Sequence, residues 1–128
     1  MKYLMAIVLA CLVSAPALAD SRCKQGSPDL FTFVKWEFKK VDDHWVDVNL
    51  TYHNNVDQAF SKANITIFVD GEGKFFVRSR ELTKASGDGT ATNQIGGISP
   101  ADVKRFESLT PQLCVDFTYD ESGTRKNY

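Results

Sequence analysis

The sequence predicts an all-β fold: an antiparallel β-sandwich of six or seven short strands with one short helix, a closed barrel being the alternative. Three observations favour this fold class. Apolar residues recur with period two from Phe33 onward, short polar runs separate the alternating segments, and helix signals occur only within residues 99–109. Period-two alternation is typical of strands that have one buried and one solvent-facing side.

The first two strands form a predicted hairpin around Asp42-Asp43, because short polar side chains bond readily to their own backbone in turns. In the run FVKWEFKK, one face holds the apolar residues Val34, Trp36 and Phe38. In residues 45–54 the inward set is Val46, Val48, Leu50 and Tyr52. The outward set of that strand is Trp45, Asp47, Asn49, Thr51 and His53.

A third strand is predicted at KANITIFVD, where the inward residues are Ala63, Ile65, Ile67 and Val69. The segment GEG separates it from KFFVRSREL, which is rich enough in aromatic and β-branched residues for a fourth strand. We interpret IFVDGEGKFFV as the corner between these strands, because glycine accepts the positive φ of tight hairpin turns. A phosphate-binding loop would need Ser or Thr after the lysine, and an EF-hand loop would need more oxygen ligands.

Residues 83–97 are rich in glycine and poor in apolar side chains, which predicts a loop with at most one short strand at residues 90–95. A helix that ends by Leu109 follows. Ser99 supplies an N-cap hydroxyl, Pro100 suits the first helical position, and Asp102 lies near the positive end of the helix dipole. The closing strand, LCVDFTYD, places Leu113, Val115, Phe117 and Tyr119 on one face and Cys114 on the other.

The chain divides into a predicted signal peptide at residues 1–19, which is cleaved, and a single domain at residues 20–128. The leader has a basic Lys2, an apolar run and an Ala-x-Ala sequence before Asp20. That run is shorter than the ~20 residues that span a bilayer. A lipid anchor at Cys11 is the minor alternative. The formal net charge of −1 argues against nucleic-acid binding, which usually needs a concentrated basic surface.

Two cysteines remain after cleavage, Cys23 and Cys114, and we expect them to form one disulfide that joins the two ends of the domain. Exported proteins meet an oxidising compartment in which such a pair normally bridges. A reactive or metal-binding thiol pair is the alternative, but such sites use close Cys-x-x-Cys spacing or nearby histidines.

Four features carry a resemblance to a known family: Trp36 early in a strand, a strand ending at Asn54-Asn55, Phe68-Val69-Asp70 followed by Gly73, and Ile98-Ser99-Pro100 followed by Phe106. In this order they resemble the small secreted bacterial immunoglobulin-like β-sandwiches of the FxLYD type, over residues 30–120. The resemblance implies an immunoglobulin-like sandwich and an extracytoplasmic binding or structural module. It also implies a strand at residues 103–109, where the capping signals favour a helix.

No catalytic, metal or cofactor site is predicted. His44 and His53 lie at different hairpin ends, and a catalytic pair would need a base, an orienting group and a nucleophile within hydrogen-bond reach. The spacing of Asp42, Asp43 and His44 does not distinguish a metal site from a turn, and zinc usually needs three or four ligands.

Outward aromatic residues provide the only candidate binding site, because large apolar groups outside a core tend to mark contact surfaces. The predicted set is Trp45, His53, Phe68 and Phe76, the last because one of the adjacent Phe75 and Phe76 has to face outward. A place under a loop or against an edge is the more common position for each aromatic ring, and a partner surface is the alternative. We therefore predict a secreted or periplasmic, non-enzymatic binding or accessory module. Its expected partner is another extracytoplasmic protein, without nucleic acid and without stable membrane insertion after cleavage.

Two alternatives from other functional classes stay open. A periplasmic inhibitor or immunity-type protein would occlude an enzyme with a protruding loop at residues 86–97. A small hydrolase would need a pocket that gathers His53 with a carboxylate and a hydroxyl.

Overall fold

The computed structural model of the chain describes Cys23, residues 26–69 and residues 72–128, except for the side chains of residues 72 and 73. The predicted signal peptide and residues 70 and 71 lie outside the described residues. Seven strands and one helix are present in this part of the chain: β1 (Phe31–Lys40), β2 (Trp45–Asn54), β3 (Lys62–Val69), β4 (Glu72–Ser79), β5 (Asp88–Gly96), α1 (Pro100–Glu107), β6 (Gln112–Tyr119) and β7 (Arg125–Asn127).

The seven strands form one antiparallel sheet in the order β1-β2-β5-β4-β3-β6-β7. The all-β class and the short helix are thus confirmed. The sheet is curled into a half-barrel, so that a sandwich of two separate sheets is not confirmed. The neighbouring strands β4 and β5 are paired at a single position, Arg78 opposite Thr92, and this narrow link divides the sheet into a three-stranded and a four-stranded half.

The inner faces of the two halves pack on one hydrophobic core. Phe75 on β4 lies 6.4 Å, between ring centroids, from both Trp36 and Phe38 on β1. Phe106 of α1 lies at similar distances from Phe38 and Phe75 and closes one end of the core. The predicted inward residues of β2 and β3 are all buried: Val46, Val48, Leu50, Tyr52, Ala63, Ile65, Ile67 and Val69.

Two β-bulges change which residues of β1 and β6 face the core. The β1–β2 register shifts between Phe33 and Lys35, and Val34, which was expected to face inward, is 47 % exposed. In β6 the register against β3 shifts around Asp116. An inserted residue exchanges the two faces of the strand beyond it. Phe117 and Tyr119 therefore pair with the outer-face positions of β3, and the prediction that they face inward is wrong.

The segment expected to be a loop at residues 83–97 is mostly strand. β5 pairs with β2 over nine positions, from Trp45 opposite Gly96 to His53 opposite Asp88. Backbone hydrogen bonding along β2 supplies the order that the glycine-rich sequence does not indicate. Of its side chains only Ala91 and Ile95 are buried.

The helix signals are confirmed. The Ser99 hydroxyl accepts a hydrogen bond from the backbone N–H of Asp102, and Pro100 occupies the first turn. Residues 103–107 therefore belong to a helix, and the strand implied there by the family resemblance is not found. The corner between β3 and β4 is also confirmed as a hairpin, with Val69 opposite Glu72.

The predicted disulfide is present. Cys23 and Cys114 are bonded, with Cα atoms 5.8 Å apart and 91 residues apart in sequence. Cys114 is fully buried and lies opposite Thr66 of β3, on the outer face of the sheet. The adjoining N-terminal segment continues along β6, where Ser27 forms a bridge with Val115.

Candidate functional site

The structure separates the four predicted binding residues. Trp45 and His53 face the same way but lie eight residues apart on β2, or about 27 Å at the usual rise of a strand. Trp45 is 45 % exposed and Phe76 is 42 % exposed, so both remain available for contacts. Phe75, the neighbour of Phe76, faces the core instead.

Phe68 is not part of an exposed surface. It is only 8 % exposed, although its position on β3 places it on the outer face. Its neighbour on that face, Thr66, lies opposite Cys114, whose disulfide brings Cys23 to the same side of the sheet. The expectation that Phe68 is an exposed aromatic residue is therefore wrong.

Phe76 lines a depression on the outer face of the sheet. It has a volume of about 670 Å³ and crosses β1, β2, β5 and β4. Its wall is mixed in charge, with side chains from four strands: Glu37, Lys39, Asp47, Asn49, Phe76, Arg78, Arg80, Thr92, Asn93 and Gln94. We call this the outer-face depression. Trp45 precedes Asp47 by two residues on the same face of β2 and so stands at one end of it.

Hydrogen bonds hold the floor and rim of the outer-face depression in place. Where β4 and β5 have only one paired position, the Asn93 Nδ2 donates to the Phe76 carbonyl oxygen at 2.7 Å. The Gln94 Nε2 donates to Asp47 Oδ1 at 3.3 Å, which links β5 to β2. Arg78 lies with its guanidinium carbon 4.9 Å from the Phe76 ring centroid, a cation–π distance.

Arg78 is also fixed from the other side. Its Nε donates to Asn64 Oδ1 at 3.0 Å, and the Asn64 amide in turn donates to Asp116 Oδ2 at 2.8 Å. Thr66 donates to the same carboxylate oxygen at 2.6 Å. A side chain held by such a chain of hydrogen bonds loses less conformational entropy when it binds a partner.

Trp45 lies over the backbone of β5. A Cβ atom at Gly96 would be 3.1 Å from the Trp45 ring, so the absence of a side chain at Gly96 lets the ring pack closely on the backbone. Asp42 fixes the turn before it, with Oδ1 accepting the backbone N–H groups of His44 at 2.7 Å and Trp45 at 2.9 Å. Beside the ring is a smaller, mainly apolar pocket of about 270 Å³ between the β1–β2 hairpin and α1.

His53 is part of a surface pair rather than of a pocket with Trp45 or Phe76. Its Nδ1 lies 2.8 Å from Asp88 Oδ1, directly across from it on β5, and both side chains are largely exposed. Among the described residues no hydroxyl is hydrogen-bonded to His53. In the same part of the chain no three His, Cys, Asp or Glu side chains are grouped to hold a metal ion.

The sequence-level prediction missed the polar members of the depression. A signal was present for β4: Lys74, Phe76, Arg78 and Arg80 recur with period two, as expected for one face of a strand. Asn93 had no such signal, because its role depends on the narrow link between β4 and β5.

Within the described ranges, no helix is long and apolar enough to cross a membrane. Comparison of the chain with protein-family models, curated proteins and solved structures found no match.

Proposed function

We propose that the protein is a secreted or periplasmic binding or accessory module that contacts another extracytoplasmic protein through the outer-face depression. The observation that supports this function is the exposed Phe76 in the wall of the mixed-charge depression, with the exposed Trp45 two residues from Asp47 on the same face of β2. Tryptophan, tyrosine and arginine dominate the energetics of protein interfaces, particularly where a polar rim surrounds an aromatic anchor.

The packing of the sheet on its core limits the surfaces at which a partner can bind. The inner face is committed to the core, so contacts have to be made by the outer face, the edges or the loops. On the three-stranded half, the outer face carries side chains of both charge signs, including Glu37, Lys39 and Asp47. Such a surface selects a partner by complementary charge placement more than by net charge.

The export proposal is supported by the disulfide. A bridge between Cys23 and Cys114 forms and persists in oxidising compartments, and is rare in reducing ones. For the finer fold description, we propose an immunoglobulin-like sandwich derived from a single folded sheet, of the kind that the FxLYD-type resemblance implies. The contacts of Phe75 with Trp36 and Phe38 support face-to-face packing of the two halves.

The inhibitor alternative relied on a protruding loop at residues 86–97. Residues 88–96 instead form strand β5, which lies between β2 and β4 in the sheet. The hydrolase alternative needs a pocket that gathers His53 with a carboxylate and a hydroxyl. Among the described residues, only the carboxylate of Asp88 is hydrogen-bonded to His53. Neither therefore has an observation that favours it over a binding module.

The test is a pull-down from extracytoplasmic proteins of the source cell or its surroundings, with the affinity-tagged full chain as bait. Trp45→Ala and Phe76→Ala are the test variants, and Leu82→Ala is the matched control, since Leu82 is also an exposed large apolar residue but lies outside the outer-face depression. We expect the wild type and the Leu82 variant to recover the same partner.

Each test variant should weaken binding of that partner by about tenfold or more, the effect of a hot-spot residue. If both test variants bind the partner as tightly as the Leu82 control, the outer-face depression is not the contact surface.

A further inference from the structure

The far edge of the sheet is the short strand β7, and its backbone hydrogen-bonding pattern can be followed position by position. The Asp120 N–H donates to the Thr124 carbonyl at 3.0 Å, and the Tyr128 N–H donates to the Asp116 carbonyl at 3.0 Å. Hydrogen-bonded and non-hydrogen-bonded pairs alternate along an antiparallel ladder. Thr118 and Lys126, opposite each other midway between these pairs, are thus also a hydrogen-bonded pair.

It follows that the main-chain groups of Arg125 and Asn127 point away from β6, toward an edge with which no other strand of the described part of the chain pairs. Each residue therefore presents one N–H and one C=O for an additional strand. The hairpin that presents them is rigid, because Asp120 Oδ1 accepts hydrogen bonds from the backbone N–H groups of Ser122 and Thr124, both at 2.9 Å.

The side chain of Arg125 is held on the outer face, above the residues displaced there by the bulge at Asp116. Its guanidinium carbon lies 3.9 Å from the Phe117 ring centroid and 6.0 Å from that of Tyr119. Its Nε donates to Asn127 Oδ1 at 2.9 Å. The other guanidinium N–H groups have no hydrogen-bond partner among the described residues, and a stacked guanidinium can bind a carboxylate through them.

Positive charge continues from β7 across this half of the sheet. Lys62 lies 5.9 Å from the Tyr119 ring centroid, and Arg78 and Arg80 line a shallow depression with Lys62, Phe117 and Tyr119. We call Lys62, Arg78, Arg80 and Arg125 the cationic patch. The carboxylate of Asp116 on this face accepts hydrogen bonds from Asn64 and Thr66 through one oxygen, and its other oxygen is buried.

We propose that the β7 edge binds an extended acidic segment of a partner protein, which adds to the sheet as an eighth strand. Residues opposite Arg125 and Asn127 would project toward the outer face, so alternate Asp or Glu side chains of the segment would lie beside Arg125, at the near end of the cationic patch. The recognised pattern is therefore acidic-x-acidic in a β conformation.

The charge of the edge selects this occupant over a second copy of the chain. Two β7 edges brought together would place Arg125 and Lys126 near the same residues of the other copy, and like charges across paired strands are destabilising. Exposed edges are commonly protected in this way against self-association. The β7 edge belongs to the other half of the sheet from Trp45. The proposal does not depend on the proposed function, although the cationic patch shares Arg78 and Arg80 with the outer-face depression.

The test uses fluorescence anisotropy at low salt with the full chain and a labelled peptide of alternating glutamate and valine. A peptide with lysine in place of glutamate is the charge control. Arg125→Glu is the test variant and Lys104→Glu, an exposed charge reversal on α1, is the matched protein control. We expect the acidic peptide to bind, and Arg125→Glu to weaken its binding about tenfold or more, while Lys104→Glu leaves it unchanged.

Backbone methylation separates strand addition from simple charge attraction. Methylating the peptide amides at alternate residues should weaken binding about tenfold in one alternation, which faces β7, and little in the other. Equal binding by both methylated peptides would overturn the proposal, as would equal binding by the lysine peptide. A sulfated polysaccharide that binds through Arg125 when the acidic peptide does not would identify an acidic glycan as the ligand and also overturn it.

Discussion

Among the glycines that the structure describes, an added Cβ atom would come closest to its neighbours at Gly89, and Gly89→Ala tests the packing between β2 and β5. It lies directly opposite Tyr52. A Cβ atom there would be 2.5 Å from Thr83 Oγ1, 2.6 Å from Tyr52 Oη and 2.7 Å from Tyr52 Cζ. The two oxygen atoms are themselves joined by a buried hydrogen bond of 2.6 Å.

The expected cost follows from how tightly Tyr52 is held. The side chain is fully buried and its ring is stacked on Phe31, with centroids 4.3 Å apart, so it cannot move away freely. Overpacking of a core costs about 1–3 kcal/mol. Disturbing the Tyr52–Thr83 hydrogen bond leaves buried polar atoms unpaired, at a further ~1–3 kcal/mol. We therefore expect Gly89→Ala to lower the free energy of unfolding by about 2–5 kcal/mol.

The assay is urea unfolding followed by tryptophan fluorescence, with Thr90→Ala, an exposed position on the same strand, as the control. The control should change the free energy of unfolding by less than about 1 kcal/mol. In a Tyr52→Leu background the ring and hydroxyl are absent, so Gly89→Ala should cost at least ~1 kcal/mol less there. An undiminished cost in that background, or a wild-type free energy of unfolding for Gly89→Ala itself, would refute the argument.

Three further predictions concern the disulfide, a buried phenol and the helix cap. Replacing Cys23 and Cys114 together by Ala should cost about 4.6 kcal/mol, the chain-entropy value for a separation of 91 residues; a loss below ~1 kcal/mol in urea unfolding would contradict that account. The pKa of Tyr52 is raised, because the effect of burial outweighs the opposing effect of the hydrogen bonds to Ser79 and Thr83. Because the folded state then holds the phenolic proton more tightly, stability should be retained below the unfolded pKa of about 10 and fall as pH rises toward the folded value. The wild type minus Tyr52→Phe difference in urea midpoint should show this fall, and a difference that stays constant across that pH range would be inconsistent with it. Ser99→Ala should lower the free energy of unfolding by about 1 kcal/mol through loss of the N-cap, and an unchanged thermal midpoint would show that the cap is not needed.

The alternation of apolar and polar residues predicted the buried face correctly wherever a strand is regular. It placed all four inward residues of β2 and of β3 correctly, since the side chains of a regular strand point alternately to the two faces. It failed at Val34 and beyond Asp116 because a bulge inserts one residue into the backbone and exchanges the faces. A bulge has little signature in side-chain identity. The period-two pattern therefore assigned Phe117 and Tyr119 to the inner face, although they lie on the outer face.

The candidate site was predicted in part for a related reason. Trp45 was identified by alternation and Phe76 because one of two adjacent phenylalanines has to face outward, and the structure leaves both exposed. The same reasoning was applied to Phe68 and failed, since it assumes that solvent covers the whole outer face. The burial of an outer-face side chain depends on tertiary contacts, which the local alternation pattern does not contain.

Arg78 connects the two proposed surfaces and therefore cannot be used to tell them apart. It occupies the single paired position between β4 and β5, covers the Phe76 ring, and donates to Asn64 on β3. Its guanidinium contributes to the wall of the outer-face depression and to the cationic patch. Loss of Arg78 would remove charge from both surfaces and a support from Phe76, so reduced binding of either partner would have two explanations. Phe76 and Arg125 lack this ambiguity, because each lines one surface only.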